Sequence, residues 1–246
     1  MLEFAYMTRQ FENRPDLEKK GDIVSQIYHN LPEGLSDEDI NRLKKIVSEF
    51  ANGFRILMDK GPYVTVFGSS RISADSPEYH MGMELGEKLA KIGYSVLTGG
   101  GPGVMEAVNR GAHEANGHSA GINIFLPEEQ KANPYIEPAI TMNYFFVRKV
   151  LLLKYSTAFI FMPGGFGTLD ELFETVTLVQ TRKIAPFPVI LVGREFWSGL
   201  LEWIGKRLQN EKMISPSDMH CLYLADTVPE IIQIMEEKAP LYDHHD

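Results

Sequence analysis

The sequence predicts an α/β fold, a doubly wound parallel sheet with helices on both faces, preceded by an N-terminal helical extension. Three observations lead there. From Tyr63 onward, short apolar runs alternate with stretches of helical periodicity. The runs "YVTVF", "YSVLT", "TAFIFM" and "FPVILVG" are continuously apolar, as strands covered on both faces are. Two strand ends run into glycine clusters, "TGGGPG" and "PGGFGT", each followed by a helical pattern.

In chain order, residues 1–60 are rich in charge and poor in strand signals, and form the extension. Within it, "DIVSQIYHN" predicts a short helix that ends before Leu31-Pro32. "LSDEDINRLKKIVSEFANGFRILMDKG" predicts a longer one. Ser36 and Asp39 resemble a capping box, and Ile40, Leu43, Val47, Phe50, Phe54 and Leu57 mark one apolar face. Gly61-Pro62 stops it. Strand "YVTVF" follows, then a helix begun by Ser76-Pro77 and ended by Gly93. Next come strand "YSVLT", helix "VMEAVNRGAHEAN" with Gly117 as its stop, and strands "SAGINIFL" and "AITMNYF". Helix "FVRKVLLLKYS", strand "TAFIFM" and a helix starting near Thr168 lead on to strand "FPVILVG". Helix "EFWSGLLEWIGKRLQN", strand "CLYLA" and helix "VPEIIQIMEE" complete the alternation. Residues 61–240 thus read as one Rossmann-like nucleotide-binding domain and 241–246 as a tail, whose "YDHHD" is a solvated end rather than a chelator. In such sheets ligands bind beyond the carboxyl ends of the strands.

Composition narrows the function. The 246 residues are 44% hydrophobic and 23% charged, ordinary for a globular protein. The net charge is −9 and no basic block is present, so nucleic acid is not an expected partner. A backbone site can still hold an anion. The single cysteine, Cys221, excludes an internal disulfide and reads as a buried strand thiol. There is no secretory signal pattern and no apolar run of membrane-spanning length, so a reducing cytoplasm is the expected location and no membrane partner is expected.

The glycine clusters carry the chemistry. Glycine lets backbone N–H groups reach a ligand, and the helix start adds partial positive charge. The dinucleotide pattern G-x-G-x-x-G fails at Val104, and neither loop has the lysine of a phosphate-binding P-loop. Each cluster alone reads as a tight turn. Two in one sheet, one with Thr168 at the helix start, favour a phosphate cradle. A branched side chain at Gly165 would then stand in the phosphate's path and strain a positive φ. Glu171 follows three residues after Thr168, in the expected first helical turn. It is either a dipole partner or a catalytic carboxylate kept ionised by the helix. Asp170 and Glu174 are alternatives to it. Arg148 and Lys149 stand out in an apolar helix, either as snorkelling cations or as an anion clamp. His113 and His118 have no metal-ligand spacing, and neither a metal nor a cofactor is expected.

Together, "GGGPGVMEA", the Arg148-Lys149 pair and "PGGFGTLDE" resemble the LOG (lonely guy) family of phosphoribohydrolases, once misnamed lysine decarboxylases. The resemblance covers about residues 63–238, and the N-terminal helices look like those of a bacterial variant. "MNYFFV" before Arg148 departs from the family's more polar run there. The resemblance implies hydrolysis of the N-glycosidic bond of a nucleoside 5′-monophosphate, AMP or a cytokinin riboside 5′-monophosphate, to free base and ribose 5-phosphate. It implies Arg148 and Glu171 as the catalytic pair. It also implies Ser69, Gly100, Gly101, Gly103, Lys149, Gly164, Gly165, Gly167 and Thr168 around the nucleotide, and a homodimer or higher homo-oligomer. The rival reading is a carrier of nucleotide or molybdenum cofactor without catalysis, which has no need of an acid at Glu171. Lysine decarboxylation is disfavoured, because no pyridoxal-binding lysine motif is present.

Overall fold

The structure, a computed structural model, describes residues 34–58, 60–125 and 132–239. The helix expected at 22–30 and the tail 241–246 lie outside these residues. Two compact units divide the chain, 1–49 and 50–246. Helix α1 (Asp37–Leu57), whose first residues belong to the first unit, begins as its sequence predicts. The Ser36 hydroxyl accepts the Asp39 N–H at 3.1 Å and donates to its carboxylate at 2.7 Å. Asp37, Glu38 and Asp39 place negative charge against the helix's positive end.

The second unit is the sheet. Its strands are β1 (Tyr63–Phe67), β2 (Ser95–Thr98), β3 (Ser119–Ile124), β4 (Ala139–Met142), β5 (Ser156–Phe161), β6 (Val189–Val192) and β7 (Leu222–Ala225). Between them run α2 (Pro77–Lys91), α3 (Val104–Glu114), α4 (Phe145–Lys154), α5 (Phe166–Gln180) and α6 (Arg194–Trp203), and α7 (Val228–Lys238) follows β7. The seven strands lie in the order β4-β3-β2-β1-β5-β6-β7, and every neighbouring pair is parallel. This is the Rossmann-like doubly wound sheet the sequence predicts. The chain winds outward from β1 to β4, crosses back, and winds out the other way from β5. The switch point therefore lies between β1 and β5, where the crossovers diverge and leave a crevice.

Apart from half-buried Thr157 of β5, the central strands are buried throughout, which is why they read as unbroken apolar runs. The edges differ from that expectation. In β4 exposed and buried residues alternate, and β7 is half-buried up to Ala225, because each edge strand lacks a neighbour on one side. Cys221 stands one residue before β7 and is half-buried rather than a strand thiol, and burial pushes its pKa up.

On one face Val64, Val66, Val96, Ile160 and Ile190 pack against Leu85 and Leu89 of α2, Val108 of α3, and Ile231 and Met235 of α7. On the other, the Thr65 hydroxyl donates to the Leu152 carbonyl of α4 at 2.8 Å, and Phe67 stacks on Phe161 at 4.8 Å. Helices α2 and α3 approach closely because Gly86 has no side chain. A Cβ there would lie 2.0 Å from the Val108 carbonyl oxygen. The obstacle is backbone and cannot rotate away. Gly86→Ala is therefore expected to destabilise by about 1–3 kcal/mol or more. Gly199→Ala, in the open on α6, is expected to be neutral or slightly stabilising. Denaturant midpoints compare the two, and similar midpoints would contradict this account of the helix contact.

Candidate active site

Three loops meet at the carboxyl ends of β1, β2 and β5. Ser69, two residues beyond β1, ties them together through its backbone. Its N–H donates to the Pro163 carbonyl at 3.0 Å, and its carbonyl accepts the Val104 N–H at 2.9 Å. Its hydroxyl accepts the Arg71 N–H at 3.1 Å.

The glycines separate into two kinds. Gly103 has φ 69°, and a Cβ on it would lie 2.4 Å from the Ser69 carbonyl oxygen. Gly164 leaves room for the Thr168 hydroxyl, which lies 2.1 Å from where its Cβ would be. Gly100 also has positive φ, and Gly101 is buried with its carbonyl accepting from Asn133 Nδ2 at 3.1 Å. Close packing or positive φ thus accounts for Gly100, Gly103 and Gly164. It does not account for Gly165 and Gly167, around which nothing lies within 4 Å. Gly165 has φ −93°, so the expected positive φ is absent, and a side chain there meets open space without backbone strain.

Helix α5 begins at Phe166, two residues earlier than the sequence predicts, with Gly165 as its cap. Elsewhere, Ser76 caps α2 and Thr227 caps α7 with a side-chain oxygen. Gly165 supplies no such acceptor, so the first N–H groups of α5 end uncapped beside an open, glycine-lined space. That is the geometry that receives an anion. Thr168 is buried in this first turn. Phe166 projects outward, 92% exposed.

The earlier start places Glu171 in the second turn, past the reach of the strongest dipole effect. It is 6% exposed, and its Oε2 is buried without a hydrogen-bond partner. Burial pushes its pKa up to about 7; the charges of Arg148 and Lys149 pull it down, and those of Glu174 and Asp170 push it up. The helix does not keep this carboxyl ionised, because desolvation outweighs both the dipole and the nearby cations.

Arg148 and Lys149 take different parts. Half-buried Arg148 donates from Nε to the Ile122 carbonyl at 2.8 Å and from Nη2 to the Gly99 carbonyl at 3.4 Å. Gly99 has no Cβ because Nη2 occupies that place, 2.1 Å from where the Cβ would be. Burial lowers the Arg148 pKa, and the Glu171 charge raises it again; a guanidinium stays cationic regardless. Lys149 is held 2.9 Å from both Asp170 and Glu174. Burial alone would lower its pKa, but its hydrogen bonds to Glu174 and Asp170 raise it overall. Its charge is thus committed to α5 acids rather than to an incoming anion, and this docks α4 against α5. Sequence reasoning passes over Asn133 altogether; its Asn-Pro pair signals only a turn. Among the described residues no cluster of acids, histidines or cysteine forms a metal site, and no helix is long and apolar enough to cross a membrane.

Known proteins resemble this chain in sequence and fold. The family model described as "Possible lysine decarboxylase" matches residues 105–235, which include Arg148 and the whole 163–171 loop. Cytokinin riboside 5'-monophosphate phosphoribohydrolase LOG3 of Arabidopsis thaliana is 31% identical over 184 residues, 73% of this chain and 84% of that protein. A solved structure described as TM1055 is 33% identical with a TM-score of 0.55, covering 71% of this chain and 98% of its own. The molybdenum cofactor binding protein of Rippkaea orientalis also has a TM-score of 0.55, with 73% of this chain and 98% of that one covered. At 24% identity it shares the fold. The shared model, the extent of the plant relative and the two motifs in their order place this chain in the LOG family.

Proposed function

We propose that the chain hydrolyses the N-glycosidic bond of a nucleoside 5′-monophosphate, releasing a free base and ribose 5-phosphate. AMP and cytokinin riboside 5′-monophosphates are the preferred candidates, the latter because the plant relatives are named for them. The observation that carries the reading is the start of α5. An open glycine-lined helix N-terminus lies two turns or less from a buried carboxyl with one unpartnered oxygen.

The phosphate sits on the 165–168 backbone, where uncapped N–H groups meet its charge. This anchor is remote from the scissile bond and positions the ribose. Cleavage develops positive charge on the sugar, which the Glu171 carboxylate stabilises while it orients the attacking water. A pKa of about 7 lets Glu171 both hold and release a proton near neutral pH. Arg148 keeps a fixed positive charge beside it. The enzyme acts as a homodimer or higher oligomer in the cytoplasm.

Two results follow. The protein should release ribose 5-phosphate from AMP but hardly any ribose from adenosine, since the nucleoside lacks the anchor. Similar kcat/KM on the two compounds would count against the phosphate site. Gly165→Val places a branched side chain in the open space before the helix. AMP affinity should collapse while the melting temperature stays near that of the wild type. Unchanged affinity by calorimetry would move the phosphate elsewhere. The carrier reading is served by the same assay: AMP bound tightly with no ribose 5-phosphate from any monophosphate would favour it.

A further inference from the structure

We propose that Asn133 is a positioning residue that fixes the seat of the Arg148 guanidinium. Its catalytic consequence rests on the phosphoribohydrolase reading; the seat itself rests on geometry. Asn133 lies between β3 and β4 and is 5% exposed. Its backbone N–H donates to the Gly100 carbonyl at 2.9 Å. Its Nδ2 donates to the Gly101 carbonyl at 3.1 Å and to Asn109 Oδ1 at 3.0 Å, and its Oδ1 accepts the Tyr135 N–H at 3.1 Å.

Asn109, fully buried on α3, extends the network. Its Oδ1 also accepts from the Thr98 hydroxyl at 2.6 Å, and its Nδ2 donates to Ser119 Oγ at 2.9 Å and the Ala120 carbonyl at 3.2 Å. Thr98 Oγ1 in turn accepts the Gly100 N–H at 2.9 Å. Every side-chain nitrogen and oxygen of the two amides has a partner, and reversing either amide would set donor against donor. A buried network satisfied in this way is rigid.

What it grips is the Gly99–Gly101 loop, from two sides. On that loop rests Arg148: Nη2 fills the place of the missing Gly99 Cβ and donates to the Gly99 carbonyl. A shift of the loop therefore moves the guanidinium. A residue serving only to fold its own segment would not need both amide protons directed at Gly101 and Asn109. Arg148 is tethered independently through Ile122, so releasing the loop should loosen its guanidinium end and leave its helix in place.

The test uses the full chain with Asn133→Ala and the equal-sized Asn133→Asp, which loses both bonds donated by the side chain and keeps the backbone bond to Gly100. Amide exchange at 99–103 should quicken roughly 10-fold or more, with β1 and β5 unchanged. Ribose 5-phosphate release from AMP should fall in kcat by about 10-fold or more, while the AMP dissociation constant moves less than about 3-fold, because the 165–168 loop is untouched. If the alanine variant does not fold, the aspartate variant decides. Wild-type exchange at 99–103, or a uniform rise across the sheet, overturns the proposal. So does an unchanged kcat beside selectively faster exchange. If the wild type itself releases no ribose 5-phosphate from any monophosphate, the substrate reading fails, and the exchange pattern still decides the seat.

Discussion

Glu171→Gln is expected to cut ribose 5-phosphate release roughly 10²–10⁴-fold, the range of a lost acid–base or electrostatic group. The same substitution should make the protein more stable above pH 7. Both effects have one cause. The carboxyl is 6% exposed, one oxygen is unpartnered, and its pKa stands near 7 instead of the usual 4.5. Because the folded value exceeds the unfolded one, the folded state favours the protonated acid. That contribution is complete below about pH 4.5 and is lost as pH rises through about 7. Above that range the wild type holds a charge in a poorly solvating site. The gap between the two pKa values corresponds to roughly 3 kcal/mol as an upper figure. Glutamine has the same shape and no charge to bury. Melting curves of the two proteins should agree near pH 4 and separate by pH 8, with the variant higher. AMP binding should persist, since the phosphate loop is unaltered. Normal turnover in the variant would remove Glu171 from the chemistry, and coincident melting curves at pH 8 would remove the strain.

Gly99→Ala is expected to lower kcat/KM on AMP by about 10²-fold with little loss of stability, the cost of misplacing a catalytic group by about 1 Å. The new Cβ would lie 2.1 Å from Arg148 Nη2 and 2.9 Å from Met105 Sδ. Both are the far ends of flexible side chains and can swing aside. The fold therefore tolerates the methyl group, while the guanidinium loses its place. This contrasts with Gly86, where the obstacle is a backbone carbonyl and the cost falls on stability. Arg148→Ala provides the reference and should lower both turnover and affinity. Wild-type kinetics in Gly99→Ala, alongside a defect in Arg148→Ala, would show that the Gly99 side of the seat is dispensable.

The alternation of apolar runs and helical periods predicts all seven strands and the α-helices between them, because continuous burial leaves a local compositional trace; the short 3-10 helix Pro216–Met219 leaves none. The Ser36–Asp39 cap was legible for the same reason: its partners are three residues apart. The partial exposure of edge strands β4 and β7 is not legible locally, since it depends on which strand lacks a neighbour. Helix α5 starts two residues before the position the sequence suggests, because Gly165 caps it with no side-chain signal.

By itself, the sequence determined the α/β class, the two glycine loops and the motifs that join this chain to the LOG family, all carried by residues close together in the chain. Only the tertiary structure decided what each of those residues does. Gly99, Gly103 and Gly164 make way for Arg148, Ser69 and Thr168, while Gly165 and Gly167 face open space, a division invisible in the string "GG". Lys149 turns to Asp170 and Glu174, whereas its neighbour Arg148 reaches the loop after β2. Asn133 joins a site whose other members lie tens of residues away. Glu171 loses its ordinary acidity through burial by residues brought together by the sheet. Packing distance, desolvation and charge pairing act through space, and the order of residues along the chain does not encode them locally.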